Sequence, residues 1–347
     1  LREEGMIREL GVTNFDAAHL RVALSDGVPI ASNQVSFSLI DRRAREDLAA
    51  LCAETGTQLL AYGTLCGGFL TDRWLDKPEP EDVPDWSGMK YRRFIETAGG
   101  WDALQRVLRA AKTVGERHGT SIANVATRWV LDHPHVGAII IGARLGEREH
   151  RADTARLLDL RLTEEDRATL EAAFDKLAPI PGDCGDEYRK PPFLTASGDL
   201  SHHLSTMPRA FEATPVPGRA GRMRVSSGSV WEPLAGFSRA VRVGERILVS
   251  GTTATHGADH VVAPDDAGAQ TTYILDKIIA AIVALGGTPE DVIRTRIMLR
   301  DVNDWEAVSR AHGRVFGDVR PANTLVAVGD LVGDYRVEIE AEAVVGD

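Results

Sequence analysis

The sequence predicts two units, an α/β unit built on parallel strands and then an α+β unit. Three observations predict this. Up to about residue 179, strand-like apolar runs alternate with helical segments, the order that yields parallel strands. Seven of the 16 prolines then fall between Pro179 and Pro217 among Gly, Ser, His and Thr, a stretch without period that reads as loop or linker. Beyond it, two short β segments precede one long helix and further strands. A length of 347 residues suits two domains at about 150 residues each.

In the first part, GVTNF (11–15) feeds a helix from Asp16, a good N-cap, that ends near Gly27. ASNQVSF (31–37) leads to a helix over 42–55 stopped by Gly56, and TQLLAYGTL (57–65) is a third strand. A polar excursion and two helices (101–118 and 121–132) precede VGAIIIGA (136–143), apolar throughout as a strand covered on both faces should be. In the second part, RAVRVG and RILVSGTT come before a helix over 266–285, ended by Gly286-Gly287. The strand DVIRTRIMLRD, a helix over 304–316, TLVAV and YRVEIEAEAVV follow. The last alternates Val337, Ile339 and Ala341 with Glu338, Glu340 and Glu342, a strand with one wet face.

Composition excludes several classes. The longest apolar runs, such as 278–285, fall far short of the ~20 residues of a membrane span. The net charge of −11 is shared, with 26 basic against 33 acidic residues before Arg219 and 14 against 18 from it, so nucleic acid is not an expected partner. Cys52, Cys66 and Cys184 form no CxxC pair, which suits a reducing cytoplasm and no zinc site. His133 and His135 read better as a helix-ending loop than as a metal pair, and His202-His203 sits in a polar tail, so no metal is expected.

The motifs GVTNF, NQVSF, LLAYGTLCGGFLT and IIIGARLGEREHRADT, in that order, resemble the C-terminal half of an aldo-keto reductase, a (β/α)8 barrel that uses NADP(H). The resemblance covers 1–204, including KYRRFIETAGGW, SIANVATRWVLDHP and the tail GDCGDEYRKPPFLTASGDLSHHL, and implies a partial barrel of strands five to eight. It places Thr13, Asn14 and Gln34 on the nicotinamide carboxamide and Tyr62 on the nicotinamide face. Amides supply both the donor and the acceptor that a carboxamide needs. Gly63, Thr64 and Leu65 begin a small-residue loop whose N–H groups suit a pyrophosphate. Gly142, Ala143, Arg144 and Arg148 match the adenosine 2′-phosphate site, and Thr154 stands where this branch usually has Asn. Each also has a plainer reading: Tyr62 as a half-buried strand residue, Asn14 as a helix cap, the arginines as solvated helix charges. The family's catalytic Asp, Tyr, Lys and His lie on its first four strands, which this sequence does not contain. Among Tyr62, Tyr91 and Tyr188, none has an evident Lys partner at a neighbouring strand end. LREEGMIRELG resembles mid-domain sequence, so an incomplete chain is expected, with paired half barrels as the alternative.

Residues 223–347, after a linker at 205–222, resemble the Rid family (YjgF, or endoribonuclease L-PSP) through GFSRAV, VSGTT, AQTTYILDKIIAAIVALGGTPEDVIRTRIML and RPANTLVAV…VEIEAEAVV. The resemblance implies a chorismate-mutase-like fold, a six-stranded sheet backed by two helices, and a homotrimer. Its pocket maps onto Phe237, Arg239, Ser250, Gly251, Asn323 and Glu338. Asn323 replaces the family's carboxylate-clamping Arg and Phe237 its Tyr, while Ser309 stands where Asn is common. Glu338 matches the acid that positions water, or is one of three solvated glutamates; Arg239 is a conceivable substitute clamp. The expected protein is therefore an NADP(H)-dependent oxidoreductase of a small carbonyl or alcohol, joined to a Rid-like domain that binds or processes a reactive intermediate. The alternative is a non-catalytic small-molecule-binding or trimerising module.

Overall fold

The computed structural model describes residues 1–142, 150–188 and 210–346. In chain order the first part runs β1 (Leu10–Thr13), α1 (Ala17–Ser25), β2 (Ile30–Ser36), α2 (Asp47–Thr55), β3 (Gln58–Tyr62), α3 (Trp86–Thr97), α4 (Gly100–His118), α5 (Ile122–Leu131), β4 (Val136–Ile139), α6 (Arg151–Ala155) and α7 (Glu164–Phe174). The second part runs β5 (Ala213–Pro215), β6 (Arg222–Val225), α8 (Trp231–Ala235), β7 (Ala240–Val243), β8 (Arg246–Thr252), β9 (Thr255–His256), β10 (His260–Val261), α9 (Ala267–Ala284), β11 (Val292–Leu299), α10 (Trp305–Phe316), β12 (Ala322–Ala327) and β13 (Val337–Val344). The described residues among 1–17 and 29–206 form one compact unit, and those among 18–28 and 207–347 a second.

The first unit carries a parallel four-stranded sheet in the order β1-β2-β3-β4. Its helices are set by local chemistry. Ser121 accepts from the Asn124 N–H at the start of α5, and Thr163 and Asp166 form a capping box on α7. In α4, Leu104, Val107, Leu108, Ala111 and Val114 are buried at three- and four-residue spacings, and the helix packs against α3, α5 and α7. Two expectations need correcting here. The polar excursion contains a 12-residue helix, α3. And β4 is not covered on both faces: Gly137 and Ala138 are exposed, because β4 is an edge of this sheet.

In the second unit the sheet order is β12-β11-β13-β8-β7-β6-β5, with β11 and β12 parallel and the other pairs antiparallel. It has seven strands, not six, because Ala213–Pro215, inside the expected linker, pairs with β6. Asp266 caps α9 by accepting from the Ala269 N–H. Ile274, Leu275, Ile278 and Ile282 of α9 pack with Ile247, Val249, Ile297, Leu299, Val337 and Ile339 of the sheet. Strand β13 alternates buried and half-buried residues along its whole length, as its Val/Ile/Ala and Glu pattern predicts. No helix among the described residues is long and apolar enough to cross a membrane.

Candidate functional site

In the first unit, parallel pairing brings the strand ends into line. Thr13 pairs with Gln34, and Ser36 with Tyr62. The Thr13 hydroxyl donates to Gln34 Oε1 at 3.4 Å, the Asn14 N–H to the Gln34 carbonyl at 2.9 Å, and the Tyr62 hydroxyl to Asn14 Oδ1 at 2.8 Å. Thr13, Asn14, Gln34 and Tyr62 thus form one cluster at the C-terminal ends of three adjacent strands, where α/β folds place their ligands. Asn14 sits at φ 59°, a left-handed conformation that Asn tolerates better than most residues.

The loop after β3 closes back on itself, with the Cys66 N–H on the Gly63 carbonyl at 2.8 Å and the Leu70 N–H on the Leu65 carbonyl at 3.1 Å. Gly63 must be glycine: φ is 68°, and a Cβ would lie 1.9 Å from the Tyr91 hydroxyl. Thr64 is buried and its hydroxyl has no partner. Few buried hydroxyls are left orphaned in a folded chain. Gly142 is exposed and described; Ala143, Arg144 and Arg148 lie outside the described residues, as do His202 and His203. Thr154 lies in α6, its N–H on the His150 carbonyl at 2.8 Å. His133 serves structure: its ring packs against Phe37 and Trp129, and Nδ1 is 2.8 Å from the Trp129 carbonyl.

Beside this cluster lies a charged one. Lys90 of α3, only 3% exposed, donates to the Tyr188 hydroxyl at 2.9 Å, and Tyr188 lies 3.2 Å from the Tyr62 hydroxyl. So a Lys–Tyr pair does exist, supplied by a helix rather than a strand end. Glu187 Oε1 is 3.8 Å from Lys90, and Glu187 also pairs with Arg43 at 3.0 Å, which grips Asp41 at 2.8 Å. Burial, with the Glu187 carboxylate nearby, pushes the Tyr62 phenol well above its usual range, so it keeps its proton.

In the second unit, Arg239 is 5% exposed and its Nη1 donates to the Ser250 and Gly251 carbonyls at 3.2 and 2.6 Å and to the Thr252 hydroxyl at 2.6 Å. Nη1 so engaged braces the end of β8, while the buried Nε has no hydrogen-bond partner among the described residues. That Nε faces Glu232 at 4.0 Å, and the guanidinium carbon lies 5.5 Å from the centre of the Phe237 ring. The Ser250 hydroxyl donates to the Ser238 carbonyl at 2.8 Å. Glu338 lies over Gly251, where a Cβ would come within 2.0 Å of Oε1. Burial raises the Glu338 carboxyl above its ordinary value, opposed by Arg239. Asn323 does not join them. Its amide donates to the Thr295 hydroxyl at 2.9 Å, itself 2.9 Å from His312 Nε2 of α10, on the helix-covered face. Glu338 shares the other face with Glu340 and Glu342. Ser309 is exposed on α10.

Known proteins similar to this chain fall into two sets. The aldo/keto reductase family model matches residues 1–175 and the endoribonuclease L-PSP model residues 228–345. Aldo-keto reductase YhdN of Bacillus subtilis is 26% identical over 55% of this chain and 56% of its own length. An uncharacterized protein of Streptomyces coelicolor is 43% identical over 34% of the chain and 87% of its own length. The 3-aminoacrylate deaminase RutC of Acinetobacter baylyi is 34% identical over 32% and 88%. The chain spans about half the length of the aldo-keto reductases it matches, YhdN and the chloroplastic pyridoxal reductase of Arabidopsis thaliana. The chain therefore belongs to the aldo/keto reductase family through residues 1–175 and to the endoribonuclease L-PSP family through residues 228–345, joined in one polypeptide.

Proposed function

We propose that residues 1–204 are the NADP(H)-binding half, strands five to eight, of a (β/α)8 oxidoreductase acting on a small carbonyl or alcohol, and that 223–347 are a Rid-like domain handling a reactive small-molecule intermediate. The observation that carries this is the cluster of Thr13, Asn14, Gln34 and Tyr62 at three strand ends beside the orphaned Thr64 hydroxyl. NADP(H) fits these residues: Asn14 and Gln34 offer amides to a carboxamide, Tyr62 a ring face, and Thr64 a hydroxyl to a phosphate. When bound, the cofactor exchanges hydride with the substrate; this chain orients it. The open edges of β1 and β4 suit four further βα units, which would bring the family's proton donor.

For the cofactor reading, Arg144→Ala should weaken NADPH binding more than NADH binding, measured by fluorescence titration of the intact chain. Equal loss for both would remove the 2′-phosphate role. In the second unit, Leu248, Ile293 and Val326 stand 44%, 48% and 45% exposed on the sheet, apolar area that a homotrimer would cover. Sedimentation at three chain masses is expected, and a monomer would reject the trimer. Asn323's separation from Glu338 within one chain favours a second reading for this domain, ligand binding without hydrolysis; ammonia release from 2-imino acids would exclude it. The buried free thiols of Cys52, Cys66 and Cys184 suit the cytoplasm, where cell fractionation should find the chain.

A further inference from the structure

We propose that Lys277 is a nucleophilic amine that captures small aldehydes and ketones as imines beside the turn that follows β8. Two cations hold the oxygens of this turn. Arg239 Nη1 donates to the Ser250 and Gly251 carbonyls and to the Thr252 hydroxyl. Lys277 of α9 donates to the Thr253 carbonyl at 3.2 Å and to the Thr255 carbonyl at 2.7 Å. Glu232, the carboxylate that acts on both cations, is already occupied. Its Oε1 accepts from the Ser227 N–H at 2.9 Å and the Ser227 hydroxyl at 2.6 Å, and lies 4.0 Å from Arg239 Nε. Among the described residues, no carboxylate forms an ion pair with Lys277.

A half-buried ammonium with no carboxylate of its own, near a second cation, is destabilised relative to the neutral amine. Burial, with the Arg239 charge added to it, lowers the Lys277 ammonium to about 8. Arg239 does not swing away, because three oxygens hold its Nη1. At pH 7 such an amine is about one-tenth unprotonated, against below about one-thousandth for an ordinary lysine. Desolvation and a neighbouring cation are the two means by which proteins ready a lysine for carbonyl chemistry. The hydrogen bonds then orient it. A neutral amine has two N–H groups and the two carbonyls only accept, so both N–H groups point at Thr253 and Thr255 and the lone pair takes the remaining tetrahedral position. Attack on a carbonyl carbon forms the C–N bond, both amine protons leave with the carbonyl oxygen as water, and a C=N bond remains. The step adds no charge, which suits a site where Arg239 already disfavours a further cation. Lys90 lacks these features: it is 3% exposed, and Glu187 lies 3.8 Å from it. The proposal depends neither on the cofactor reading of the first unit nor on hydrolysis by the second.

The test treats the intact chain at pH 7 with propanal and sodium cyanoborohydride, which reduces an imine to a stable N-propyl amine, and locates the adducts by peptide mass spectrometry. Lys277 should be labelled at least about tenfold faster than each of the other lysines, Lys77, Lys90, Lys112, Lys176 and Lys190, the advantage of its neutral fraction less the hindrance of half burial. In denaturing guanidinium chloride that preference should vanish, because unfolding removes both the burial and the neighbouring Arg239. Labelling of Lys277 no faster than that of the other lysines in the folded chain, or a preference that survives denaturation, overturns the proposal.

Discussion

Arg43→Met should destabilise the first unit by about 3–5 kcal/mol, the usual cost of leaving a buried charge without its partner. Arg43 holds Asp41 through two bonds of 2.8 Å, Glu187 at 3.0 Å and the Asp183 carbonyl at 2.7 Å. Asp41 and Glu187 are both 0% exposed. Burial alone would raise the Asp41 carboxyl, but Arg43 overrides it and holds the group below its ordinary value. A depressed carboxyl adds stability above its unfolded pKa and loses it as pH falls. Without Arg43 the sign reverses, because burial then favours the protonated form. The gap between the two proteins in chemical denaturation should therefore be wider at pH 8 than at pH 5. An equal gap at both would show that Asp41 does not depend on Arg43. Because Glu187 precedes Tyr188, the substitution should also loosen the Tyr62–Tyr188 contact.

Gly251→Ala should cost the second unit no more than about 1 kcal/mol, because the atoms its Cβ would meet are the far end of the flexible Glu338 side chain. The new Cβ would meet Glu338 Oε1 at 2.0 Å and Cδ at 3.0 Å, so the carboxylate must leave its place. Adding Glu338→Ala should restore most of the loss, since the clash goes with the side chain. A loss above about 3 kcal/mol that Glu338→Ala does not relieve would show that the added carbon meets something other than Glu338.

Much of the fold is legible because its signals are local. Gly56 ends α2 in a left-handed conformation, Asp266 caps α9, and the alternation of β13 survives intact in its burial. Helix α3 is the instructive miss. Its buried face includes Lys90, so a charge sits where the period calls for an apolar residue, and Trp86, which looks like core, is 58% exposed. The run at β4 is apolar enough for a strand covered twice, but apolarity does not tell what covers it.

The candidate site divides in the same way. Thr13, Asn14, Gln34 and Tyr62 were readable because motif order carries them and parallel register then aligns them. The Lys90–Tyr188 pair spans 98 residues, and Tyr62 to Tyr188 spans 126, with no local pattern to announce either. In the second unit, Asn323 faces Thr295 and His312 through strand pairing and helix packing. A motif gives its position in the chain but not its face of the sheet.

The central claim, that the strand-end cluster of the first unit holds the nicotinamide of NADP(H), is tested most directly by titrating NADPH into the intact chain and into its Tyr62→Leu variant. The account predicts saturable binding that quenches or shifts NADPH fluorescence in the parent chain and falls at least tenfold, about 1.4 kcal/mol, in the variant. Equal binding by both proteins, or none by the parent chain, would contradict it.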